Sequence, residues 1–257
     1  MELSEIVSRF AAGLKVIDAN TAWEGSSKRT GATFLSGVPA MPERQLCREL
    51  VHWWTTSHPD DFQPSGVCFE EVPYQDLPRA RCDIVFNNKV DGEIPEWAIE
   101  VKRIQFIGDN GKNNDYNVQK MLSPYMKDRS LVHDIERMRS HPIATRQAVI
   151  GYAFSYDFET CSEAESRHPM HLDRIAEMRN VCRGNDPVSG RLSCEDIVEI
   201  ADVQFRHLGI VVDSKTAPIE DLWRHPCGGQ GTVFGWEVNG GVDSVPHLDS
   251  QVQQERF

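Results

Sequence analysis

The tripeptide Glu100-Val101-Lys102 lies inside the apolar run Trp97-Ala98-Ile99-Glu100-Val101-Lys102-Arg103-Ile104. Such a run predicts a core strand, where charged side chains are rare unless they are paired or bound to a metal. Side chains alternate along a strand, so Glu100 and Lys102 share a face. Upstream is a second apolar strand with one acid, Arg81-Cys82-Asp83-Ile84-Val85-Phe86. Residues 87–92 between them tolerate left-handed backbone and predict a hairpin turn. Adjacent strands would bring Asp83 and Glu100 together with Lys102 beside them. Two carboxylates and one ammonium converging at a sheet make a site for a hard divalent cation and a polarised water.

Residues 41–54 predict a helix, with Pro42 at its start. Its apolar stripe runs Leu46, Cys47, Leu50, Val51, Trp54, and Glu43 continues that stripe at helical spacing. Glu49 points elsewhere, so Glu43 is the better candidate for the site. A glutamate helix, then a strand with an acid, then a strand with acid-x-Lys resembles the PD-(D/E)XK nuclease superfamily over roughly residues 41 to 155. Asp83, Glu100 and Lys102 match the family's first acid, second acid and lysine. The family's proline before the first acid is replaced by Cys82.

The resemblance implies a fold and an activity. The fold is α/β, a three-layer α/β/α core with a central mixed sheet (restriction endonuclease-like), elaborated by an N-terminal helix and C-terminal helices. The activity is Mg²⁺-dependent endonucleolytic hydrolysis of DNA, with Mn²⁺ as a substitute. Asp83, Glu100 and the main-chain carbonyl of Val101 would hold the metal. Lys102 would position the attacking water and stabilise its deprotonated form, and Glu43 would reach the metal through water or hold a second ion. Family members often cut double-stranded DNA as homodimers. A restriction endonuclease or another prokaryotic defence nuclease is the implied setting.

Alternatives stand beside this reading. Glu100 and Lys102 are also compatible with an edge strand whose charged face is solvated. The chain would then be a non-catalytic α/β interaction module. An effector nuclease switched on by a ligand or partner, with residues 170–238 as sensor, is the third reading. A second acid-x-Lys triplet, Asp213-Ser214-Lys215, follows Leu208-Gly209-Ile210-Val211-Val212 and reads as a surface ion pair at a turn. Cys161, His168, His171 and Cys182 lack the regular spacing of closed zinc sites. No glycine-rich nucleotide-binding motif occurs.

The 257 residues suit one elaborated domain. We divide them into an N-terminal helix and polar loop (1–40), a nuclease domain with C-terminal elaboration (41–238) and a loose polar tail (239–257). Leu3, Ile6, Val7, Phe10, Leu14 and Ile17 predict a packing or dimer helix. The loop after it carries Lys28 and Arg29, either a DNA-contacting arm or a solvated segment. The polar loop 108–117 offers Lys112, Asn113 and Asn114 to phosphate or base edges, or is simply flexible. A helix capped by Asp128, with Leu131, Ile135 and Met138 inward and Arg137 among the outward residues, precedes a strand over 146–154. Further helices are expected around 170–182 and 194–205, and strands over 208–212 and 232–238.

No run approaches the ~20 apolar residues a membrane span needs. Seven scattered cysteines without a Cys-x-x-Cys pair, and no secretory signal at the N-terminus, predict a cytoplasmic protein with reduced thiols. The net charge of −12 argues against nonspecific coating of nucleic acid. It predicts instead binding that is sensitive to salt and dependent on divalent cation.

Overall fold

A computed structural model describes residues 1–27, 31, 33–63, 67–74, 77–87, 94–123, 125, 130–183, 192–210 and 212–238. The Lys28-Arg29 arm, the hairpin turn after Asn87, Asp128 and the 239–257 tail lie outside the described residues.

The fold is α/β with a six-stranded, mixed, open sheet. Its strands are β1 (Val67–Pro73), β2 (Arg81–Asn87), β3 (Trp97–Ile104), β4 (Arg146–Ser155), β5 (Val212–Ile219) and β6 (Gln230–Val238), in the order β1-β2-β3-β4-β6-β5. Only the β3–β4 pair is parallel. β3 is therefore a central strand, and the solvated edge-strand alternative for Glu100 is excluded: Glu100 is 2% exposed.

Helices cover both faces. α1 (Leu3–Asn20) buries the predicted stripe Leu3, Ile6, Val7, Phe10, Leu14 and Ile17. It is a packing helix, set against β5, β6 and α2 (Glu43–Ser57). Two glycines allow that approach. A Cβ at Gly13 would stand 2.4 Å from Leu50 Cδ1, and one at Gly235 would stand 2.4 Å from Val7 Cγ2. α2 buries Leu46, Cys47, Leu50 and Trp54 against Ile84, Phe86, Ile99 and Val101. On the other face, α4 (Leu131–Ser140) and α7 (Cys194–His207) pack Leu131, Ile135, Met138, Ile197 and Phe205 on Val85, Ala98, Val149 and Trp236. α5 (Phe158–Arg167) and α6 (Leu172–Arg183) enclose a smaller cluster with Leu35 and Ile107. Among the described residues, no helix is long and apolar enough to cross a membrane.

Several boundaries differ from expectation. The N-cap of α4 is Ser130, whose side chain accepts from the His133 amide. The strand expected over 208–212 begins only at Val212. Gly209, at φ 68°, closes α7 with the Ile210 amide bonded to Phe205 O and the Gly209 amide to Arg206 O. That is a Schellman ending, and Ile210 buries itself with Phe205 as the motif favours. Asp213 and Lys215 consequently lie within β5 rather than at a turn. They pair with each other at 3.0 Å on an edge strand, remote in sheet order from β2 and β3. α5 and the short α3 (Asp115–Met121) were not expected.

Candidate active site

The β2–β3 ladder pairs Phe86 with Trp97, Val85 with Ala98 and Ile84 with Ile99. One further step would place Asp83 opposite Glu100, and there the strand pairing stops. Side chains replace the missing ladder along this edge of β3. The Cys82 thiol lies 3.4 Å from Ile99 O, Asp83 Oδ2 accepts the Val101 amide at 2.7 Å, and Glu43 Oε2 accepts the Arg103 amide at 2.7 Å. In a strand the N–H and C=O of one residue point to the same side, so the Val101 carbonyl faces the same opening.

The opening is held from both flanks. On β1, Glu71 stands opposite Asp83, between the pairs Glu70–Ile84 and Val72–Cys82, with a left-handed φ of 55°. That backbone is unusual for a residue with a Cβ and marks local strain. Arg44 of α2 lies 3.4 Å from its carboxylate. On the other side, the buried Asp18 at the end of α1 accepts the amides of Val38, Trp223 and Arg224. This fixes the 3₁₀ turn Val38–Ala40 that leads into α2. Arg103 donates to the carbonyls of Pro39 and Met41 in the same segment, at 3.2 and 3.1 Å. Glu43 is thereby set over the end of β3, as its helical phase predicted. Pro42 is the N-cap, and Glu43 itself begins the helix.

A chain of charges crosses the site. Glu100 Oε1 accepts from Tyr74 Oη at 2.7 Å and from Arg137 Nη2 at 2.8 Å. The same Nη2 lies 2.6 Å from Asp134 Oδ1. Asp134 Oδ2 is 3.1 Å from Lys102 Nζ, which is 3.9 Å from Glu43 Oε1. The Asp83 and Glu100 carboxyls lie close enough to share a hydrogen bond.

Burial pushes the Glu100 carboxyl up to about 8, reinforced by the charges of Asp83 and Asp134 and only partly offset by Arg137 and Tyr74. Burial also raises Asp83 and Glu43. For Lys102, burial pulls the other way, but Asp134, Glu43 and Asp83 outweigh it and hold the ammonium protonated. Four carboxyls thus face two cations, an excess of acid that a divalent ion would neutralise.

Among the described residues, no three His, Cys, Asp or Glu side chains already converge as a complete metal cage. The donor set that does form is two neighbouring carboxyls and a main-chain carbonyl. This suits Mg²⁺, which keeps several waters and takes one or two carboxylates. The placement of Asp83 beside Glu100 where the β2–β3 ladder ends, with both carboxyls raised by burial, favours the fit. Of the weighed zinc set, Cys161 and Cys182 are buried with sulfurs 3.9 Å apart, whereas His168 is exposed.

The proposed DNA-contacting residues of the 108–117 loop divide. The Asn113 side chain bonds with Asp115 and stays exposed, whereas Asn114 Nδ2 donates to Gln105 O and is half-buried. Lys112 borders a cleft of about 960 Å³ that also takes in Phe34, Met170, His171 and Arg174. Glu49, half-buried like Glu43, lies six residues further along α2 and so on another side of the helix. Sequence reasoning missed Tyr74 and Asp134, and it turned Arg137 outward. The signal for Asp134 was present, since it sits three residues after Leu131 and four before Met138, within the buried stripe of α4. Arg137 turns inward because Asp134 and Glu100 wait for it there. No family model, curated protein or solved structure matches this chain.

Proposed function

We propose that the chain is a divalent-metal-dependent endonuclease that hydrolyses phosphodiester bonds of double-stranded DNA, in the setting of restriction or another prokaryotic defence. The observation that carries the reading is the pairing of Asp83 and Glu100 at the split between β2 and β3, with Lys102 beside them. Its motif order resembles the PD-(D/E)XK superfamily, and the open mixed sheet is compatible with that fold.

In this reading Asp83, Glu100 and the Val101 carbonyl hold Mg²⁺, and Mn²⁺ substitutes. A bound divalent cation supplies charge neutralisation at the phosphoryl oxygens and activation of water. Lys102 remains an ammonium, so it acts as a hydrogen-bond donor and a fixed positive charge toward the attacking water and the pentacovalent phosphorane. It does not serve as the base. Glu43, anchored through Oε2 on the Arg103 amide, keeps Oε1 toward Lys102 and orients water at that edge. A bound cation would favour the ionised forms of Asp83 and Glu100, whose carboxyls burial raises in its absence.

Plasmid DNA incubated with the protein and Mg²⁺, then with EDTA, tests this. Discrete fragments that vanish with EDTA support a restriction-type enzyme. No cutting with Mg²⁺ or Mn²⁺, in any oligomeric state, would favour a non-catalytic module. The cleft of about 960 Å³ lined from 169–174 favours a second reading, an effector nuclease opened by a ligand bound there. Smeared, sequence-independent degradation appearing only with an added ligand distinguishes it.

A further inference from the structure

The Arg137 guanidinium occupies an oxygen of Glu100 that a divalent cation at this site would need. Arg137 Nη2 sits 2.8 Å from Glu100 Oε1 and 2.6 Å from Asp134 Oδ1, so one nitrogen bridges two acids. The acids differ in placement. Glu100 belongs to β3 and faces Asp83 across the opening, whereas Asp134 belongs to α4 and carries Arg137 three residues along the same helix. Asp134 is 1% exposed and the Arg137 side chain 16%, so this is an interior arrangement rather than a loose surface pair.

We propose that Arg137 is an internal placeholder, a positioning residue whose guanidinium occupies Glu100 Oε1 while no cation is bound and yields it when Mg²⁺ or Mn²⁺ enters, with Asp134 retaining the guanidinium throughout. The inference rests on reading Asp83 and Glu100 as the cation site.

Three features support the handover. A buried carboxyl oxygen without a partner is costly, and Arg137 of α4 supplies a donor to Glu100 Oε1 before metal arrives. Asp134 gives the displaced guanidinium a charge partner that never leaves, because the spacing within α4 fixes both. Asp134 also touches Lys102 at 3.1 Å, so release of Glu100 by Arg137 leaves the lysine's support intact. The arrangement sets a threshold: the site stays closed to cation until its concentration outcompetes a built-in rival.

Mn²⁺ titration by calorimetry on the full chain, with unfolding midpoints in the same buffers, tests the proposal. Arg137→Gln should bind Mn²⁺ at least tenfold more tightly than wild type, and Glu100→Gln should lose binding. A merely structural Arg137 predicts the opposite sign, since a misplaced Glu100 binds more weakly. Equal or weaker binding by Arg137→Gln therefore overturns the handover. If that variant fails to fold, Arg137→Lys takes its place. The shorter ammonium stays with Asp134 and releases Glu100, so tighter binding is again expected, and unchanged binding is a refutation. Should wild type bind no Mn²⁺, the cation-site reading falls and takes the handover with it. If wild type binds and Glu100→Gln does not, but the Arg137 variants match wild type, the cation site stands and only the handover is lost.

Discussion

Asp83 stands opposite Glu100 at the point where β2 parts from β3, and its Oδ2 takes the Val101 amide at 2.7 Å. One carboxylate therefore does two jobs: it substitutes for a strand in the ladder and it faces the acid with which it would hold a metal. The two roles separate by mutation. Asp83→Ala leaves the Val101 N–H without its acceptor and should cost about 1–3 kcal/mol. Asp83→Asn keeps an acceptor and should melt near wild type. Both should lose cation binding. Thermal unfolding with Mn²⁺ calorimetry checks this, and equal melting of the two variants would show that the ladder contact carries no weight.

Lys102→Ala should lower cleavage by about 10²–10³-fold, the range for removing one preorganised donor at developing charge. DNA binding should persist, measured by gel shift with Ca²⁺ in place of Mg²⁺. A variant that cuts at the wild-type rate would remove Lys102 from the mechanism.

Glu43 and Glu49 share a helix but not a face. Glu43→Ala should abolish most activity, because it removes the Oε2 contact to the Arg103 amide and the acid nearest Lys102 on α2. Glu49→Ala should stay within a few-fold of wild type. Steady-state cleavage of one plasmid substrate by both variants decides it, and a dead Glu49 variant would mean the helix phase is misassigned.

The pH dependence of stability has a definite sign. Glu100 holds its proton in the folded state up to about 8 and releases it around 4.5 when unfolded. The folded state binds more protons across that window, so its stability falls as pH rises through it. His225 acts in a lower range and with opposite sign. Burial depresses it to about 3 from 6.5, so stability is lost as pH falls between those values. Above about 6.5 only the carboxyl effect remains of the two. In EDTA, the melting temperature should therefore decline from pH 6.5 to pH 8, and saturating Mn²⁺ or Glu100→Gln should flatten the decline. A wild-type melt that is level across this range in EDTA would contradict the burial of an acid there.

Much of this arrangement was legible because two periodicities meet in it. Apolar runs with one or two charges marked β2 and β3, and the inward stripe of α2 marked Glu43. The alternation of a strand cannot reveal where pairing stops, so the split that seats the Val101 amide on Asp83 was invisible. A binary pattern assigns every arginine to solvent and so turns Arg137 outward. Only the three-dimensional meeting of α4 with β3 supplies the two acids that draw it in. α5 escaped notice because only Cys161 and Ala164 of its ten residues are buried, too few to draw a stripe. The strand after α7 starts four residues later than its apolar run suggests because Gly209 ends the helix there.

The two outer strands have a bearing on how copies of the chain can meet. β5 carries Pro218 and an exposed Asp213–Lys215 pair, and β1 is bent by the left-handed Glu71 and ends in Pro73. Proline, charge and a kink all discourage another strand from adding on. Sheets of two molecules should therefore not fuse into a continuous one. A two-fold assembly able to address both strands of a duplex would be built from helices and loops, leaving the orientation of the two candidate sites to those surfaces.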